Sequence, residues 1–121
     1  MKTFKDLSVW QKSMKLVENT YQIANKFPRV EEYGLVSQMK RCCISIPLNL
    51  AEGFNRRTTK EYIQFVSIAY GSCSELETQL EIAHALKYIS KDQYKSILFE
   101  ITEVSKMLNG LIRSLSIKIS H

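Results

Sequence analysis

At 121 residues the chain is the length of one domain, and a fold of this size buries about two thirds of its unfolded surface without a metal or disulfide staple. A hydrophobic content of 45% and a charged content of 24% are those of an ordinary globular protein, and no apolar run reaches the roughly 20 residues of a membrane span. The net charge of +5 sits in the first half: residues 1–60 hold 11 Lys/Arg against 5 Asp/Glu, whereas residues 61–121 hold 6 against 7, so RNA or DNA is a candidate partner.

The opening stretch MKTFKDLSVWQKS contains Lys2 and Lys5 but neither an apolar block nor a small-residue cleavage site, which predicts no secretory signal and a cytoplasmic address. Leu7, Trp10, Met14, Val17, Tyr21 and Ala24 then recur at steps of three and four, the seam of a helix that Phe27-Pro28 ends. Val9, Leu16 and Ile23 form a second apolar line beside it.

In the second segment Leu35, Met39, Cys42 and Ile46 share one helical face, and Glu31 and Glu32 suit a first turn near the positive helix end. Pro47 lacks an amide donor and crowds the carbonyl of Cys43, which predicts a bend over 43–47. Gly53-Phe54 reads as a left-handed cap, stopping the helix near Glu52.

Thr58-Thr59-Lys60-Glu61 fits a capping box and opens a third helix with the seam Tyr62, Val66, Ala69, Cys73, Leu76, Leu80 and Ala83. Ser90-Lys91-Asp92-Gln93 fits a second box, with Ile89 and Tyr94 placed for a hydrophobic staple. The fourth seam runs through Tyr94, Ile97, Ile101, Val104, Leu108, Leu111 and Leu115, flanked by Leu98, Ile112 and Ile119. Short turns make consecutive helices antiparallel. The expectation is therefore all-α: one domain over residues 1–121, an up-down-up-down antiparallel four-helix bundle with a proline kink in helix 2. Its apolar stripes are wider than one bundle core needs, which predicts self-association.

Catalytic and metal chemistry find little support. Cys42, Cys43 and Cys73 lack the paired spacing of a zinc clamp and read as buried thiols. Glu81-x-x-His84 matches half of a di-iron motif, but the other histidine, His121, follows Lys118 and completes no second copy. With one internal histidine, no G-x-S-x-G turn and no Gly-rich phosphate loop, neither an enzyme nor a cofactor is predicted. Glu75, Glu77 and Glu81 spread around a helix rather than pairing.

Two features remain. Gln38, Arg41, Ser45, Asn49 and Glu52 form a polar ribbon at helical spacing, suited to an oligomer interface, where Ser45 and Asn49 can also reach backbone groups freed by Pro47. Lys40, Arg41, Arg56, Arg57 and Lys60 form a basic set opposed nearby only by Glu52, suited to nucleic-acid phosphates without base readout.

The stretches FKDLSVWQKS, FPRVEEYGLVSQMKRCCISIPLNLAEGFNRRT and FVSIAYGSCSELETQLEIAHALKYI resemble the small four-helix-bundle proteins encoded in intervening sequences of bacterial 23S ribosomal RNA genes. Gln38, Arg41, Ser45, Pro47, Asn49, Glu52, Gly53 and Arg56 match one block, and Gly71, Ser72, Glu75, Leu76 and Glu77 another; Cys42-Cys43 replaces a small aliphatic pair. The chain is similar also to the accessory variability proteins of diversity-generating retroelements. The resemblance implies a homopentamer that binds nucleic acid through basic surface, or a scaffold for a protein partner such as a reverse transcriptase, with no catalytic residues.

Overall fold

Four helices carry the chain in the computed structural model, which describes residues 2–120: α1 (Ser8–Ala24), α2 (Leu35–Phe54), α3 (Thr59–Ala85) and α4 (Lys91–Ser120). Short 3-10 turns at Phe4–Asp6 and Arg29–Glu31 precede α1 and α2. No strand occurs among the described residues, and none of their helices is long and apolar enough to cross a membrane.

Side-chain caps fix the starts of α3 and α4. The Ser90 hydroxyl accepts from the Gln93 amide at 3.1 Å while the Gln93 side chain accepts from the Ser90 amide at 2.9 Å, a complete box. At α3 the Thr58 hydroxyl accepts from the Glu61 amide at 3.1 Å. A further box stands ahead of α1: the Thr3 hydroxyl accepts from the Lys5 amide, and the Asp6 carboxylate accepts from the Thr3 and Lys2 amides. Those two donors hold the Asp6 carboxyl below its ordinary pKa. This turn sets Phe4 edge-on to Trp10, with ring centroids 5.4 Å apart.

Contacts between sequence neighbours run in opposite order. The Ser45 and Ser72 hydroxyls meet at 2.5 Å, while Gly53, eight residues later, faces Tyr62 and Phe65. His84 stacks on Tyr94 at 4.2 Å, whereas Tyr70 shares a groove with Asn109. Lys40 reaches Asn25 while Ala51 shares a groove with Trp10. α1 also packs on α4, where Asn19 meets Glu100, so the helices enclose one core in cyclic order. Leu16, Met39, Ile46, Leu50, Leu76, Leu80, Ile101 and Leu108 are fully buried there, each worth roughly 1.5–3 kcal/mol in transfer free energy.

Three expectations change. In α1 the buried line is Val9, Ser13, Leu16, Thr20 and Ala24, whereas Trp10, Val17 and Tyr21 are half-buried and Met14 is 38% exposed. Ser13 tolerates the core because its hydroxyl donates to the Trp10 carbonyl at 2.7 Å. Helix α2 begins at Leu35 rather than around Glu31 and Glu32. Glu31 nonetheless reaches it from the preceding turn, accepting from the Leu35 amide at 3.3 Å and from the Tyr88 hydroxyl at 2.8 Å.

The third change concerns the end of α2. α2 passes through the buried Pro47 without a break and runs to Phe54, and no described glycine has a positive φ, so Gly53 is not a left-handed cap. Its missing side chain serves packing instead. A Cβ at position 53 would lie 2.9 Å from the Phe65 Cβ, 3.0 Å from a Tyr62 ring carbon and 3.2 Å from the Tyr62 carbonyl oxygen. Only glycine lets the end of α2 lie so close to the start of α3. The left-handed position occurs at Lys87, with φ 63°, where the Tyr88 amide donates to the Ala83 carbonyl at 2.9 Å and closes α3.

Candidate nucleic-acid interface

Arg56, Arg57 and Lys60 stand exposed at the turn between α2 and α3, which the Gly53 contact holds tight. Arg56 pairs with Glu52 at 3.0 Å and lies over the Phe65 ring, 4.5 Å from its centroid. Arg57 and Lys60 have no ion-pair partner among the described residues. Lys40 and Arg41 belong elsewhere: position 41 lies about 20 Å back along α2 from Phe54, where the helix ends, at 1.5 Å per residue. Lys40 turns toward α1, donating to Asn25 at 2.6 Å and lying 4.9 Å from the centre of the Tyr21 ring.

Opposite helix directions collect other cations near the turn instead. The start of the chain lies beside the end of α2, and α4 ends beside the start of α3. Exposed Lys2, Lys5 and Lys118 thereby join Arg56, Arg57 and Lys60 at one end of the bundle. Of the acids there, Asp6 accepts from two backbone amides, Glu52 pairs with Arg56, and exposed Glu61 beside Lys60 has no ion-pair partner among the described residues. These three lysines lie far from residues 56–60 in sequence, and it is the antiparallel order of the helices that brings them to the α2–α3 turn.

The polar ribbon divides by partner. Gln38, Arg41 and Ser45 line a groove of about 410 Å³ between α2 and α3 with Ser72, Glu75 and Gln79. The Ser45 hydroxyl lies 2.6 Å from the Cys42 carbonyl, and Asn49 donates to the Ser45 carbonyl at 2.7 Å. Both side chains thus serve α2 carbonyls beside Pro47, though not that of Cys43. In the same groove the Gln79 side-chain oxygen is buried without a protein partner among the described residues.

Reactive groups are tied into packing. Burial pushes the Cys42 thiol up to about 12, with Glu75 adding to it, the Cys73 thiol up to about 12 and the Cys43 thiol up to about 11. All three stay protonated at neutral pH, and Cys42 donates to the Ser72 carbonyl at 3.1 Å. The Tyr94 hydroxyl donates to the Glu81 carboxylate while its ring stacks on His84, which accounts for that motif as helix packing. His121 lies outside the described residues, and among those described no three His, Cys, Asp or Glu side chains converge as a metal site.

Fold and site together define a small all-α bundle whose polar features sit in outer grooves and at one basic end. A family model described as 23S rRNA-intervening sequence protein matches residues 5–110, and the chain belongs to that family. It is similar to a crystal structure of a protein of unknown function from the S23 ribosomal protein family of Bacteroides thetaiotaomicron, with a TM-score of 0.81 and 25% identity over 87% of this chain and 95% of that one. No curated protein matches it.

Proposed function

We propose that this chain is a non-enzymatic, homo-oligomeric bundle, assembling as a pentamer, that holds the phosphate backbone of RNA or DNA on its basic end. The carrying observation is the gathering of Lys2, Lys5, Arg56, Arg57, Lys60 and Lys118 at one end while two of the nearby acids are engaged. Guanidinium forks and ammonium groups without a base-reading element bind phosphates with little sequence preference. Replacing Arg56 and Arg57 by alanine should weaken unrelated sequences about equally in an anisotropy titration. Unchanged binding by this variant would refute the reading.

A second reading is a scaffold or accessory subunit for a protein partner such as a reverse transcriptase. It draws on a groove of about 290 Å³ between α1 and α2 lined wholly by apolar residues, among them Phe4, Trp10, Met14, Pro47 and Leu48. Capture of a protein partner that survives nuclease treatment, with no direct nucleic-acid binding, would favour it.

A further inference from the structure

The two faces of α4 differ in charge. On the α1 side Glu100 accepts from the Asn19 amide at 2.9 and 3.0 Å, and Glu103 pairs with Lys12 at 2.9 Å. The outward side carries Lys95, Phe99, Thr102, Lys106, Gly110 and Arg113 at steps of three and four, all exposed and without an acid among them. None of Lys95, Lys106 and Arg113 has an ion-pair partner among the described residues. Phe99 is 68% exposed amid these cations, and Tyr70 of α3, 38% exposed, flanks them across a groove lined also by Lys106, Asn109 and one acid, Glu77 of α3. A side chain at Gly110 would meet no atom within 4 Å, so a ligand can approach the helix backbone there.

We infer that this outward face of α4 is a platform for single-stranded RNA or DNA, with Phe99 and Tyr70 stacking bases and Lys95, Lys106 and Arg113 holding phosphates. Lys106 and Arg113 are about 10.5 Å apart along the helix, so the cations track a strand rather than clamp one group. Every base offers a flat face to an aromatic ring when unpaired, whereas a duplex keeps its bases stacked on one another. A docked protein helix would need apolar anchors at successive turns. Here Thr102, Lys106, Gly110 and Arg113 follow Phe99 before the next apolar position on the stripe, Ile117. The platform rests on the nucleic-acid reading but uses residues apart from the basic end.

Full-length protein titrated with a labelled oligouridine and with a duplex of equal length separates the two surfaces. Phe99→Ala should weaken the single strand about tenfold and leave the duplex unchanged, Tyr70→Ala should act in the same direction, and Phe99→Trp should restore binding. Circular dichroism confirms that each variant is folded. If the unaltered protein binds neither form, the proposed function fails along with the platform. If it binds both and Phe99→Ala is indistinguishable from it, the platform alone is overturned. A shift in sedimentation by Phe99→Ala with unchanged strand affinity also overturns it and assigns the face to a protein contact.

Discussion

Replacing Gly53 by alanine tests how the α2–α3 junction is built. The new Cβ would stand 2.9 Å from the Phe65 Cβ and 3.2 Å from the Tyr62 carbonyl oxygen. Neither atom is the far end of a flexible side chain, so α3 must move away from α2 by several tenths of an ångström. Overpacking of this kind costs about 1–3 kcal/mol, while alanine in a helix interior gains about 1 kcal/mol over glycine. The net expectation is a loss of up to about 2 kcal/mol, against a gain of about 1 kcal/mol if the added Cβ met nothing. Gly71→Ala supplies the contrast, because nothing lies within 4 Å of its added Cβ and only the gain of about 1 kcal/mol remains. Urea unfolding at one fixed protein concentration reads both as shifts in midpoint at constant slope. A Gly53→Ala protein stabilised as much as Gly71→Ala would refute the close-approach account, because Arg57 and Lys60 would then owe their position to something else.

Lys87→Gly should stabilise the fold by about 1 kcal/mol, because a non-glycine residue at φ 63° carries about 1–2 kcal/mol of strain; a lowered melting temperature would contradict this. Burial raises the Glu100 pKa above its ordinary value, only partly offset by Asn19, so the folded state binds this proton more tightly than the unfolded one. Its contribution therefore falls as pH rises from the unfolded pKa through the raised folded one. Glu100→Gln should flatten that part of the stability-versus-pH curve, and an identical slope in parent and variant would count against it. Cys42, Cys43 and Cys73 should react with a thiol reagent at mildly alkaline pH only after unfolding, and rapid labelling of the native protein would show that their burial is misread.

Long-range helical periodicity made the four helices legible, since Tyr62 to Ala83 and Tyr94 to Leu115 bury much as their spacing predicts. In α1 the same reasoning chose the wrong stripe. Trp10 and Met14 outweigh Ser13 and Thr20 in hydropathy, yet short hydroxyl side chains fit between closely packed helices where larger ones do not. Gly53 misled for a related reason: a glycine near a helix end suggests a turn, whereas its value here is a close approach to residues nine and twelve positions later. Lys40 and Arg41 group with Arg56, Arg57 and Lys60 in sequence because the helix that carries them runs into the α2–α3 turn. Their separation along α2 and the commitment of Lys40 to Asn25 become visible only in three dimensions. Phe99 lies off the apolar seam of α4, so periodicity that finds a core gives it no role.

The affinity for RNA and DNA measured as a function of salt tests the backbone-binding claim most directly. Each phosphate contact contributes about −0.9 to the log–log slope on duplex and about −0.7 on a single strand. The basic-end account predicts steeply falling affinity with rising salt, and a slope shallower by roughly 1.4 on a single strand and 1.8 on a duplex when Arg57 and Lys60 are both alanine. No binding at low salt, or a slope that the double variant leaves unchanged, would contradict it.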